Sequence, residues 1–312
     1  MQTAPATILL VLVSYLAGGS FRVEALPIGL FALFAHWLSF GHNSLMDTAM
    51  GYDLKDPSKK HHPLVSGRLS LHSAHNVIHW GLSILILIAS IMTLLWSPNP
   101  ALALFSLMLW VAFGHAYNDG LSKESLFSFV PISICMVGAG LWGWFLSHST
   151  LDLMGWLLIG YYFFTILFQI SWSGHLKEIQ QKERSNILVK MGAEVRDDVF
   201  YPGASRIYAW VIKAINLYFG YLLLMLNKDL VRLVWVVLLT FLAVVLLDKL
   251  TKTRFYDRDK DLFNMSAMEV VTIYLPIPLV LPWLESVVLM LFGIIYFVAF
   301  NFWLWSKPYP KV

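Results

Sequence analysis

The chain returns again and again to apolar runs of about twenty residues, the length a helix needs to cross a hydrocarbon core of about 30 Å. Windows near 4–19, 26–46, 74–96, 101–117, 125–147, 153–174, 204–225, 230–248, 267–283 and 286–305 have this character. They predict an all-α integral membrane protein, a bundle of nine or ten transmembrane helices. The first window is short, and Pro276, Pro278 and Pro282 interrupt the ninth, which reads as a broken or shallow segment. Composition supports the reading where it matters. Charged residues are 13% of the chain, about half the share of a soluble domain. Apolar residues are 58%, too many for one water-surrounded core, so a soluble globular enzyme is excluded. The 13 Trp, 13 Tyr and 21 Phe exclude a disordered chain. Cys135 is the single cysteine, which leaves no disulfide framework or cysteine-based zinc site. A net charge of +3 without a basic stripe gives nucleic-acid binding nothing to rest on. The first residues lack the basic segment of a cleavable signal peptide.

Short connections alternate with longer polar ones at 47–73, 118–124, 175–203 and 249–266, and the whole of 1–312 reads as one domain carrying these loops. Of the 22 Lys and Arg, 18 lie on the longer connections, their helix ends or the tail. The positive-inside rule puts those loops in the cytoplasm, in the plasma or cytoplasmic membrane if the source is prokaryotic. Fourteen of the 19 acids share that face. Acids contribute little to orientation, so their concentration there points to chemistry.

The richest segment is Asn43-Ser-Leu-Met-Asp47-Thr-Ala-Met-Gly51-Tyr-Asp53, followed by Lys59-Lys60-His61-His62-Pro63-Leu64-Val65-Ser66-Gly67-Arg68. Asn43 and Asp47 stand four apart at the end of the second helix and face one way. Gly51 can break the helix and bring Asp53 round. Two carboxylates and an amide suit a hard ion such as Mg²⁺, which takes remaining ligands from a substrate's phosphates. The bases that follow suit those phosphates. An ordinary loop would not set acids at a helix C-terminus, against the macrodipole. The 175–203 loop opens with His175, Lys177, Glu178, Lys182 and Glu183, which alone also fits a juxtamembrane helix with ion pairs. Tyr117-Asn118-Asp119-Gly120 with Lys123 reads alone as a helix-ending turn.

Together these segments resemble UbiA-type intramembrane prenyltransferases. Asn43-x-x-x-Asp47 with Asp53 and Pro63-Leu-Val-Ser-Gly67 resembles the first Asp-rich motif, and the Asp47-x-x-x-Gly51-x-Asp53 spacing is closest to the branch that prenylates naphthoquinone precursors. Tyr117 through Lys123 resembles the family's Tyr…Lys turn, and Glu178 through Gly192 its second Asp-rich motif. The resemblance implies helices around a central lipid-open cavity. It implies transfer of an isoprenyl group from a prenyl diphosphate donor to a hydrophobic acceptor, a quinone precursor or lipid, with Mg²⁺ as cofactor. Asn43, Asp47, Asp53, Glu178 and Glu183 would hold metal. Asn43, Lys60, Arg68, Asn118, Lys123 and Lys177 would hold diphosphate, and Asp47, Asp53, Tyr117 and Lys123 would be catalytic. Two letters depart from the pattern. Ser44 follows Asn43 where an Asp is usual, and the second motif carries His175, Glu178 and Lys182 or Glu183 in place of Asp.

A terpene cyclase on the same scaffold is the alternative, and a transporter is the rival from another class, suggested by Lys213, Glu269 and the proline-broken span. His72, His75 and His79 fall near one helical face, while His36, His42, His115 and His148 are scattered. Without a His-x-x-His-His box these read as membrane-interface histidines rather than a di-iron oxygenase. His175, titrating near neutrality, is expected to shape pH dependence.

Overall fold

The computed structural model describes residues 4–305 apart from 20, 56–58, 122–126, 178, 180–185, 196–197, 201–202, 253 and 256–257. Helices dominate: α1 (Ala4–Leu16), α2 (Ala25–Ala49), α3 (Leu71–Trp96), α4 (Pro100–Ala116), α5 (Phe129–Phe145), α6 (Leu153–Phe168), α7 (Gly203–Leu226), α8 (Leu230–Thr251), α9 (Arg258–Tyr274) and α10 (Trp283–Trp305). Seven segments are long and apolar enough to cross a membrane. They are α2, α3, Pro100–Gly120, Leu153–Gly174, α7, α8 and Phe263–Val280. Shorter apolar helices cover Pro5–Leu16, Phe129–Phe145 and Trp283–Tyr296. One small element accompanies the helical bundle. The strands β1 (Glu194–Val195), β2 (Asp198–Phe200) and β3 (Arg254–Phe255) form a small antiparallel sheet that joins two of the polar loops. Strands of two and three residues leave no period-2 pattern to read.

The helix starts follow from their capping residues. Ser70, Asn99, Asp152 and Asp229 each accept a backbone N–H from the first turn of α3, α4, α6 and α8, and Pro100 follows Asn99 with a ring suited to that turn. The apolar faces then sort by partner. α3 and α8 present Leu94, Leu95, Leu230 and Val231 outward, as lipid-facing helices do. α1 is buried along its length, with Ile8, Leu9, Leu10, Val11 and Val13 at most 1% exposed. It packs on α2, α5 and α10. Glycine permits the closest of these crossings. A Cβ on Gly143 of α5 would strike the carbonyl oxygen of Val11, and one on Gly138 would lie 2.5 Å from the backbone nitrogen of Trp110 on α4. Phe31, Trp110 and Trp142 fill the space beside them, and Trp142 Nε1 donates to Thr93 Oγ1 at 2.9 Å.

The proline-interrupted segment is broken as expected, into α9 and a short helix Ile277–Val280. Its freed carbonyls are taken up inside the protein, as irregular backbone at this depth requires. Arg232 Nε donates to the Pro278 oxygen at 2.7 Å, Asn227 Nδ2 to that of Leu279 at 3.0 Å, and the Gly18 N–H to that of Val280 at 2.9 Å.

Candidate active site

The C-terminal end of α2 holds the first cluster. Asn43 Nδ2 donates to Asp47 Oδ2 at 3.1 Å, one helical turn apart. Asp47 is 4% exposed. The Oδ1 of Asn43 is shielded from water and has no hydrogen-bond partner among the described residues. An amide oxygen left so is costly to bury unless a ligand meets it. Gly51, at φ +83°, turns the chain after Met50 into a left-handed conformation that glycine adopts without strain. The turn Asp53–Lys55 then packs back against α2 with Asp53 only 2% exposed. Lys59 Nζ reaches both oxygens of Asp53 at 3.2 Å. Burial, and after it the Lys59 ammonium, lowers the pKa of the neighbouring His62.

Lys59, absent from the expected set, is therefore the base on the buried carboxylate, and its neighbour Lys60 is exposed. A turn that is partly 3₁₀ has no sequence period to separate adjacent lysines; the six-residue spacing from Asp53 was the available signal. Arg68 is exposed and engaged with its own loop, donating to the His61 carbonyl and, at 3.1 Å, to Ser66 Oγ.

α4 ends in a π-helical turn, Tyr117–Leu121, a form often found at functional sites. Asn118 is buried there and reaches α2, its Nδ2 donating to the Ser39 oxygen at 3.2 Å and lying 3.4 Å from His42 Nδ1. Tyr117 is half-buried at the same junction. The α2 and Tyr117 segments thus converge. Between α2, α3, α4 and α5 lies a cleft of about 520 Å³, open in part to the surroundings. Phe31, Leu85, Leu107 and Trp110 line its length, with His42 and His115 at one end.

Lys123, Glu178 and Glu183 lie outside the described residues, as does the side chain of Lys177. Around them α6 continues through a second π-helical turn, Gln169–Gly174, to His175. His175 is 5% exposed, its Nδ1 accepts the Ile187 N–H at 3.3 Å, and Asn186 Nδ2 donates to its carbonyl at 2.7 Å. Burial pushes its pKa down to about 4. The imidazole is neutral at physiological pH and ties the two ends of the loop together, which corrects the expectation that it titrates near neutrality.

The donor set Asn43 Oδ1, Asp47 and Asp53 is oxygen only, the chemistry of a hard cation. The sequence profile of the UbiA prenyltransferase family matches residues 4–273. No curated protein sequence matches the chain. Among solved structures, a UbiA homolog from Aeropyrum pernix K1 is similar at TM-score 0.62 and 14% identity, over 94% of this chain and 96% of that one. A UbiA homolog from Archaeoglobus fulgidus bound to GPP and Mg²⁺ is similar at TM-score 0.61 and 14% identity, over 89% and 96%. A digeranylgeranylglyceryl phosphate synthase is similar at TM-score 0.60 and 15% identity, over 88% and 94%. With the profile spanning most of its length, the chain is a multi-pass integral membrane protein that belongs to the UbiA prenyltransferase family.

Proposed function

We propose that the protein transfers an isoprenyl group from a prenyl diphosphate to a hydrophobic acceptor within the bilayer, with Mg²⁺ as cofactor. The observation that carries this reading is the end of α2. There the half-buried Asn43, with its unpartnered amide oxygen, pairs with the buried Asp47 beside a buried Asp53 already matched to a lysine. The Archaeoglobus fulgidus homolog bound to GPP and Mg²⁺ supports the same pairing of ion and diphosphate. Asn43, Asp47 and Asp53 would hold the ion, whose chemistry is to neutralise the diphosphate leaving group. Lys59, 37% exposed, is free to turn from Asp53 toward phosphate oxygens as the donor arrives. Asn118 fixes the turn that faces the α2 end, with Tyr117 half-buried next to it, and the apolar cleft offers a path for the isoprenyl chain. The 18 basic residues on the polar loops and tail support a cytoplasmic side for those loops.

The test is diphosphate release from a prenyl diphosphate at varied Mg²⁺. Asp47→Asn keeps the shape and removes an anionic ligand. A loss of about 4 kcal/mol in transition-state stabilisation, roughly a thousandfold in kcat/KM, is expected. Turnover and Mg²⁺ dependence like the wild type's would overturn the reading. Omitting the acceptor separates transfer from cyclisation, because a transferase then stops and a cyclase continues.

A further inference from the structure

Histidines scattered in the sequence come together one turn before the acidic cluster. His42 Nε2 on α2 lies 3.0 Å from Asp119 Oδ1, and His115 Nδ1 on α4 lies 3.8 Å from Asp119 Oδ2. One ligand atom from each of the three residues falls within 4.8 Å of the others. His79 of α3 closes the group, its ring centroid 5.3 Å from that of His42 and 6.2 Å from that of His115, and His75 lies 4.1 Å from His79. A carboxylate at 3.0 Å satisfies His42 by itself. It does not explain three further imidazoles gathered around a buried one, since each added proton would repel the others.

We propose that His42, His115 and Asp119 form a second metal site, selective for a borderline divalent ion of the Zn²⁺ class over Mg²⁺, with a solvent molecule completing the ion's shell. A tetrahedral ion with bonds of about 2.0–2.2 Å separates its ligand atoms by roughly 3.4 Å. The two imidazole nitrogens lie 3.0 and 3.8 Å from different oxygens of Asp119, and with one atom from each residue all fall within 4.8 Å, so modest side-chain rotation closes the group on an ion. Imidazole nitrogen prefers zinc, cobalt, nickel and copper, whereas Mg²⁺ prefers oxygen. The positions are held by the fold. His115 and Asp119 stand four apart on the end of α4, Gly120 at φ +134° ends the turn beyond them, and His42 is fixed on α2 with its side chain 2% exposed. In the metal-free arrangement His42 gives its Nε2 proton to Asp119 and takes an Asn118 N–H on Nδ1. An ion at Nε2 needs that nitrogen unprotonated, so the ring proton moves to Nδ1 and the Asn118 amide has to turn its oxygen there to accept it. The half-exposed Asp119 leaves a way in from the polar side.

This site does not depend on the proposed transfer reaction, and its test reads metal rather than product. Tag-free protein in detergent is stripped with a chelator and titrated with Co²⁺ in excess Mg²⁺, while visible absorption reports tetrahedral nitrogen and oxygen ligands. One Co²⁺ per chain is expected, displaced by Zn²⁺ and retained in Asp47→Asn. His42→Ala, His115→Gln and Asp119→Asn should each weaken it at least about tenfold. The last two variants change partly exposed residues, so a folding failure at His42 leaves the test intact. Absence of Co²⁺ uptake, loss of uptake in Asp47→Asn, or affinity within about threefold of wild type in His115→Gln and Asp119→Asn would each overturn the proposal.

Discussion

Asp53 is claimed by Lys59 in the structure and by a cation in the proposed reaction, and the two positive charges compete for one carboxylate. Lys59→Gln should therefore lower the Mg²⁺ needed for half-maximal activity about fivefold, near 1 kcal/mol for a buried carboxylate whose lysine is part-exposed. The same change should raise the donor KM, because the lysine no longer meets phosphate; steady-state kinetics at varied Mg²⁺ and donor checks both. His175 gives a second expectation. Its folded pKa near 4 lies below the ordinary value of 6.5, so the unfolded chain binds the proton first as pH falls. Stability is full above pH 6.5 and declines toward pH 4, by up to about 3 kcal/mol. Thermal unfolding across that window should show a slope that His175→Asn flattens. At this scale the acids were legible, because Asn43, Asp47 and Asp53 sit at fixed offsets around one helix end. The choice of Lys59 over Lys60 was not, because it depends on how a short turn winds. Nor was the gathering of His42 and His115 with His79, which depends on how three helices cross.

Among elements, the helices declared themselves through hydropathy and through the caps Ser70, Asn99, Asp152 and Asp229. What the pattern could not show is how near two helices lie. Gly143 sits against the Val11 carbonyl with no room for a methyl group. Gly143→Ala should cost about 1–3 kcal/mol as α1 and α5 are pushed apart. Gly203→Ala, with nothing within 4 Å of the added Cβ, should stay within about 0.5 kcal/mol. Unfolding midpoints in detergent compare the two. The broken ninth segment was visible from its prolines, but its stability was not, since it rests on Arg232 and Asn227 from elsewhere in the chain.

Across the whole molecule, the basic residues predict that the loops near Asp53, Lys123 and Glu183 share one side of the membrane. Single cysteines placed there in a background with Cys135 replaced should be protected from an impermeant reagent in intact cells; labelling of any one from outside contradicts the arrangement. The buried first helix bears on how such a protein is made. At 13 residues α1 is about 20 Å long, short of a full crossing, and its neighbours include α5 and α10. Those helices leave the ribosome on the order of ten seconds or more after it. Until then α1 has only α2 of the neighbours α2, α5 and α10, and a copy cut short before α10 leaves the side that α10 covers unsheltered. α1 therefore completes its packing only when helices far downstream of it are in place, so a truncation at α10 is felt at α1 as an uncovered apolar side.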